Sequence, residues 1–299
     1  MLRHEGGIQL LERSIHEWRV IKMKESLSGK NVLITGSSMG IGKGLSVHFA
    51  KEGACLALAD HPREEERLVE WAQELGQTYG IKTWTFCVDL TDPDGPERLH
   101  DEVSRTMGSI HTLVNNAGIC WYGQFKDMPA DRLQNMILLN CMAYAKLSRL
   151  FLPAMIELNE GSILNISSVA AFQPVPTLCL YAATKAFTQS MTESIRTELP
   201  KGSSVIVSTL NPPFTKTHLV QDAGVPDDFI ATKISFMTVE DVTRQGHRAF
   251  RKGKSRYVPG LHNRMFYLGI VKYLPHSVLS KLVWLLTRRI SDLRTFLIN

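Results

Sequence analysis

The chain has 299 residues, 44% of them hydrophobic and 21% charged, with 34 Lys and Arg against 29 Asp and Glu for a net charge of +5. This composition excludes wholesale disorder and suits one or two globular domains. The charge is uneven: residues 241–299 hold 12 Lys and Arg against two acids, Asp241 and Asp292, so the rest of the chain is mildly acidic and the basic end points to an anionic partner or surface.

Residues 1–27 form an N-terminal extension of helical character, and its acids (Glu5, Glu12, Glu17, Glu25) argue against a signal or transit peptide. Then short apolar runs alternate with longer helical patterns. A strand at 31–35 precedes a helix at 40–52, a strand at 54–59 a charged helix at 63–79, and a strand at 83–88 a helix at 96–107. A strand at 112–115 leads to helices at 130–140 and 142–158. A strand at 162–166 leads to a long helix at 179–199, and a strand at 204–210 to a short seventh strand at 256–258. Parallel strands need helical crossovers, so the expected fold is α/β: a three-layer, doubly wound parallel sheet over 28–260. Residues 261–299 remain as a basic amphipathic C-terminal appendage.

The five cysteines (Cys55, Cys87, Cys120, Cys141, Cys179) include no C-x-x-C pair, so neither a disulfide framework nor a metal site is expected, and the setting is taken as reducing and cytoplasmic. The longest apolar stretch, 265–286, is broken by Lys272, Pro275, His276 and Lys281, which argues against a spanning helix.

The first strand runs into Thr35-Gly-Ser-Ser-Met-Gly-Ile-Gly42 and a helix. Gly36, Gly40 and Gly42, with Ser38 and Ile41 between them, form a turn whose backbone can lie against a pyrophosphate at a helix N-terminus. The spacing is G-x-x-x-G-x-G rather than G-x-G-x-x-G. Asp60 ends the second strand 18 residues after Gly42, where an acid accepts ribose hydroxyls and repels a 2′-phosphate. NAD(H) is therefore favoured, with NADP(H) the alternative because His61 and Arg63 are near.

Tyr181 and Lys185 stand at i and i+4 on one helix face. Ser168 follows the fifth strand 13 residues earlier, and Asn140 sits on a helix facing the same crevice. Taken singly, these could be a surface Tyr, a capping Lys, a strand-end Ser and an Asn pinning a helix kink.

Together TGSSMGIG (35–42), NNAG (115–118), ISS (166–168) and YAATK (181–185) resemble the short-chain dehydrogenase/reductase family, in order and spacing, over about 230 residues. The resemblance implies a Rossmann fold and nicotinamide-dependent oxidation of an alcohol or reduction of a carbonyl. It implies a catalytic tetrad of Asn140, Ser168, Tyr181 and Lys185. It also implies that Asp89 and Leu90 touch the adenine, that Asn116, Ala117 and Gly118 line the cofactor path, and that Pro212 and Thr217 hold the nicotinamide side. A homo-oligomer, dimer or tetramer, is expected as well.

In this scheme Tyr181 is the general acid/base, its phenol brought from about 10 to about 7 by a nearby ammonium and the positive ring, which takes roughly 4 kcal/mol. Ser168 holds the substrate oxygen, and the Asn140 amide anchors a water linking Lys185 to solvent. Pro212-Pro213 replaces the family's Pro-Gly, stiffening the loop and removing a donor. Cys120, Cys141 and Cys179 are taken as apolar packing residues.

The segment 211–237 is the expected substrate lid, and its Phe214, Leu219, Val220, Val225, Phe229, Ile230, Ile234 and Phe236 either serve as core or suit a hydrophobic lipid, steroid or acyl substrate. The tail, with apolar segments at 265–273 and 278–287, covers the substrate entrance, forms an oligomer contact or lies on an anionic membrane. Nucleic-acid binding is disfavoured. The functional alternatives are an NADPH-dependent 3-oxoacyl or carbonyl reductase and, from another class, a catalytically silent dinucleotide-binding regulatory protein. A sugar-nucleotide epimerase would need another glycine spacing and a larger C-terminal domain.

Overall fold

The structure is a computed structural model that describes residues 26–215, 217–225 and 236–286. The expected N-terminal helical extension, the tail beyond 286 and the lid residues Phe229, Ile230 and Ile234 fall outside the described residues.

Strand β1 (Asn31–Thr35) shows why the sheet forms between two helical layers. Its residues alternate in direction, Val32 and Ile34 to one face and Leu33 to the other, and each face is buried in a separate apolar cluster. Val32 and Ile34 pack with Leu45 and Phe49 of helix α1 (Gly40–Lys51) and Leu68 and Trp71 of α2 (Glu65–Tyr79). Leu33 packs with Leu99 and Val103 of α3 (Gly95–Met107) and Leu147 and Phe151 of α5 (Tyr144–Glu157).

The other strands are β2 (Cys55–Asp60), β3 (Thr83–Cys87), β4 (Thr112–Asn115), β5 (Ser162–Ile166), β6 (Ile206–Leu210) and β9 (Arg256–Tyr257), and the parallel sheet runs β3-β2-β1-β4-β5-β6-β9. The order reverses between β1 and β4, and it is there, at the carboxyl ends of the strands, that such sheets open a ligand crevice. A small parallel pair, β7 (Phe214–Thr215) and β8 (Phe236–Met237), stands apart from the main sheet, with helix α7 (His218–Asp222) between them in sequence.

Two differences from the sequence expectations have clear causes. The helices expected at 130–140 and 142–158 are one continuous rod: α4 (Ala130–Ile137) passes into α5 through a π turn, Leu138–Ala143, with Asn140 inside it. The sequence pattern also left out α8 (Val239–Arg251), the crossover that β6 and β9 need to be parallel. Its signal was present as Thr238-Val-Glu-Asp241, where the Thr238 hydroxyl accepts from the Asp241 backbone N–H at 3.1 Å. Gly246 lets α8 press on the sheet, since a Cβ there would lie 2.5 Å from Leu210 Cδ2.

The basic charge is not confined to the appendage, a second correction. Six of the twelve cations after residue 240 belong to 241–260, inside the domain. Arg251 pairs with Glu52 at 3.0 Å, Arg256 with Glu193 at 3.3 Å, and Arg244 with Asp241.

The C-terminal segment continues as α9 (Leu261–Arg264), a π turn (Met265–Ile270), a 3₁₀ turn (Val271–Tyr273) and α10 (His276–Leu286). Its Tyr267, Val271, Leu279 and Val283 join a third apolar cluster with Val169, Val175, Leu178 and Val258, and Tyr181 packs on this cluster. Among the described residues, no helix is long and apolar enough to cross a membrane.

Candidate active site

The carboxyl ends of the central strands open on a cavity of about 580 Å³. At one end lies the glycine turn. Gly36 and Gly40 take φ of +63° and +55°, which an L side chain rarely adopts. Gly42 answers a different need: a Cβ there would stand 2.1 Å from the Gly36 carbonyl oxygen. The turn is held from β4 by Asn116, whose Nδ2 donates to the carbonyls of Thr35 (2.9 Å) and Gly36 (2.8 Å). Helix α1 begins with no side chain capping it, and its first residues Gly40 and Ile41 line the cavity. An open helix N-terminus behind a glycine turn suits a pyrophosphate. Thr217 also reaches this turn, with Cγ2 placed 3.4 Å from where a Gly40 Cβ would be.

Asp60, at the end of β2, lines the same end of the cavity. Its carboxylate accepts from the Ser38 N–H and the His61 N–H, both at 2.9 Å. Ser38 itself is buried outside the cavity lining, so its part is to tie the glycine turn to Asp60. Asp89 accepts from the Thr91 N–H (2.8 Å) and hydroxyl (2.7 Å), and lies 3.2 Å from His61 Nε2. Burial would raise this carboxyl, but the Thr91 and His61 contacts outweigh it and hold it below the usual aspartate value. His61 Nδ1 accepts the Arg63 backbone N–H at 3.0 Å. A backbone N–H can only donate, so Nδ1 is the acceptor there and Nε2 is the ring nitrogen that faces Asp89.

Ser168, Tyr181 and Lys185 converge farther along the cavity. Ser168 leaves β5 in extended backbone and caps a 3₁₀ turn (Val169–Phe172), its Oγ accepting from the Ala170 N–H at 3.1 Å. That leaves its proton free to donate, and the Ser168 side chain also hydrogen-bonds with Tyr181. Lys185, one turn after Tyr181 on α6 (Cys179–Glu198), is buried, and its Nζ donates to the Ile166 carbonyl at 2.9 Å. The ammonium lies 5.6 Å from the centre of the Tyr181 ring.

The expected lowering of the Tyr181 pKa is not found in the chain by itself. Burial pushes the phenol above its usual value, and the Ser168 hydrogen bond only partly offsets this. Burial likewise brings Lys185 down to about 8. Both shifts have one physical cause, the low polarity of the pocket, which penalises either charged form.

Asn140 does not line the cavity but stands behind it, fully buried. Its amide Oδ1 accepts the Ile119 N–H at 3.0 Å, and its Nδ2 donates to the Ile119 carbonyl (2.9 Å) and to Thr184 Oγ1 (3.1 Å). Both amide protons are used, so the side chain has no donor left for the expected water. It ties the segment after β4 to the turn of α6 that carries Tyr181, since Thr184 Oγ1 also donates to the Tyr181 carbonyl at 2.8 Å.

Of the remaining expected residues, Leu90, Ala117, Gly118 and Pro212 also line the cavity. Pro212 keeps a function without an N–H, accepting from the Val169 N–H at 3.1 Å. Phe214, Leu219, Val220 and Val225 of the expected lid line it as well; no side-chain placement is described for Phe236. Burial raises the thiols of Cys120 and Cys141 to about 12 and about 11, which fits packing residues rather than reactive ones. The sequence did not single out Gln173, or the contribution of Phe266, Tyr267, Leu279 and Val283 from the C-terminal segment. Only the apolar spacing of 265–273 and 278–287 hinted at the latter.

Residues 30–226 match the family described as short chain dehydrogenase. The very-long-chain 3-oxoacyl-CoA reductase of Bos taurus is 30% identical over 227 residues, covering 72% of this chain and 70% of that protein. A short chain dehydrogenase of Pseudocercospora fijiensis is 33% identical over 240 residues, covering 80% of this chain and 75% of that protein. Among solved structures, a short-chain dehydrogenase from Sphingobium yanoikuyae in complex with NADPH superposes with a TM-score of 0.73 at 27% identity, covering 83% of this chain and 97% of that one. A short-chain dehydrogenase/reductase from Burkholderia phymatum in complex with NAD shares the fold, with a TM-score of 0.73 at 24% identity over 83% of this chain and 93% of that one. The two solved structures thus hold different nicotinamide dinucleotides, with and without the 2′-phosphate.

Proposed function

This chain belongs to the short-chain dehydrogenase family, an oxidoreductase of alcohol or keto groups with a nicotinamide cofactor, and we propose that its substrate is a hydrophobic secondary alcohol or ketone of lipid, steroid or acyl type. One observation carries this reading: the hydroxyls of Ser168 and Tyr181 open into a cavity whose adjoining walls are apolar, with Val175, Leu178, Phe214, Leu219 and Val283 among them.

The chain's residues fit the dinucleotide in sequence along the cavity. The Gly36–Gly42 turn and the open start of α1 would take the pyrophosphate, Asp60 the adenosine ribose, Asp89 and Leu90 the adenine. Asn116, Ala117 and Gly118 would line its path, and Lys185, Pro212 and Thr217 would hold the nicotinamide end. When bound, the nicotinamide supplies or accepts the hydride. Tyr181 passes its phenolic proton to the carbonyl oxygen in reduction and takes it back in oxidation. Ser168 donates to the same oxygen, because its own lone pair is engaged by Ala170. Lys185 adds positive charge behind the phenol, fixed by its bond to Ile166.

NAD(H) is the favoured form. Two carboxylates, Asp60 and Asp89, line the adenosine end, so a 2′-phosphate meets negative charge there despite Arg63. The NADPH-dependent 3-oxoacyl reductase remains the second reading. It is supported by the bovine relative, whose name is that of a 3-oxoacyl-CoA reductase.

A panel of secondary alcohols and ketones, including a 3-oxoacyl thioester, tests this by absorbance with both cofactors. Tyr181→Phe should lower kcat by about 10²–10⁴-fold while cofactor affinity holds. Full turnover in that variant would overturn the mechanism, and a preference only for small hydrophilic carbonyls would overturn the substrate class.

A further inference from the structure

The C-terminal segment has two apolar faces, and the catalytic reading uses one. Tyr267, Val271, Leu279 and Val283 point inward and are 9% exposed or less. Leu261, Met265, Ile270, Tyr273 and Val278, interleaved with them, are between 51% and 80% exposed. Large apolar side chains left exposed this way within one short segment mark an interaction site.

The charge around this face identifies its partner. Between Asp241 and Asp292 lie fifty residues with eleven Lys and Arg and no acid. Some of these cations are neutralised within the domain, as with Arg251 and Glu52. Lys281 is an exposed cation on the same helix as Val278, and Arg288 and Arg289 follow directly in sequence. Bulky apolar residues beside cations, in a stretch that itself holds no acid, match a bilayer carrying anionic lipid. A second copy of the chain fits less well, because an isologous contact would set this basic stretch against itself. The first described residues lie at the amino ends of the strands: Leu27 is buried in the cluster of Phe49 and Ala54, and the Gly29 N–H donates to the Gly53 carbonyl ahead of β2.

We propose that the outer face of residues 261–282 docks on an anionic lipid surface, which sets the cavity lined by its inner face against the bilayer. The attraction has two parts, apolar insertion and charge, and each can be removed separately.

Vesicle flotation with the full chain tests the proposal, using phosphatidylcholine vesicles with and without about a third phosphatidylserine, a fraction that gives the negative surface potential of anionic leaflets. Wild type should partition at least tenfold more strongly onto the phosphatidylserine vesicles, and added salt should weaken this. The combined Leu261→Ser, Met265→Ser and Tyr273→Ser variant should lose binding at least tenfold while turning over a short soluble ketone at the wild-type rate. Lys281→Glu, which leaves the apolar residues in place, should lower binding several-fold by charge alone. Three results would overturn the proposal: no vesicle binding by wild type, a dimer that dissociates on the triple substitution, or vesicle binding that appears only after removal of residues 1–25.

Discussion

The side-chain amide of Asn140 brackets the backbone of Ile119, accepting its N–H at 3.0 Å and donating to its carbonyl at 2.9 Å. This pairing fastens the cavity wall after β4 to the helix of Tyr181, and the π turn Leu138–Ala143 contains the residue that makes it. Asn140→Ala leaves a buried N–H and C=O unpaired and should cost about 2–4 kcal/mol of stability. Denaturant unfolding measures that loss. Turnover should fall with it, through a misplaced Tyr181, while the pH profile keeps its shape; a shifted profile would give Asn140 a direct part in proton transfer.

Lys185 is a stability cost that the site retains. Its folded pKa of about 8 lies below the ordinary 10.5, so between those values the unfolded chain holds more protons. Stability should therefore rise as the pH goes from about 8 to 10.5, and the cost is fully present below 8. Lys185→Met removes a penalty of about 3 kcal/mol and loses the bond to Ile166, so it should stabilise the chain by about 1–2 kcal/mol at pH 7 while abolishing turnover. Melting curves of both chains across pH check the sign.

His247, on α8, lies against Phe49 and stacks on His48 with ring centroids 5.4 Å apart. Burial first, then the neighbouring His48 and Arg251, bring its pKa down to about 3 from 6.5. The unfolded chain binds the extra proton, so stability is lost as the pH falls from 6.5 toward 3, by on the order of 4 kcal/mol. Glu52 opposes this weakly, because burial raises its pKa and favours the folded state at low pH. His247→Phe should flatten the acid limb of the stability curve without changing kcat.

Removal of residues 261–299 should open the substrate end of the cavity and leave the cofactor end formed, since the segment supplies Phe266, Tyr267, Leu279 and Val283 to the lining, whereas the glycine turn is held by Asn116. The dissociation constant for the dinucleotide should stay within about threefold, and KM for long-chain ketones should rise at least tenfold, about 1.4 kcal/mol. Titration by cofactor fluorescence separates the two. Lost cofactor binding would make the segment part of the domain core.

Much of the fold was legible because its signals are local. Alternation within Asn31–Thr35, the two left-handed glycines before α1 and the four-residue step from Tyr181 to Lys185 are set by neighbours in sequence. The π turn was not legible, since Asn140 is held there by Ile119 and Thr184, which are distant in sequence. Helix α8 was missed although its cap was written in Thr238 and Asp241, because its polar outer face hid the buried stripe of Val242, Gly246 and Phe250.

The sequence alone determined the order of strands and helices, the glycine turn and the four-residue step between Tyr181 and Lys185, because each depends on spacing along the chain. The tertiary structure decided the rest: that the phenol of Tyr181 is raised and Lys185 lowered, that the Asn140 amide is fully engaged, and that half the basic end belongs to the domain. Those outcomes depend on desolvation and pairing, which sum over contacts from every part of the chain.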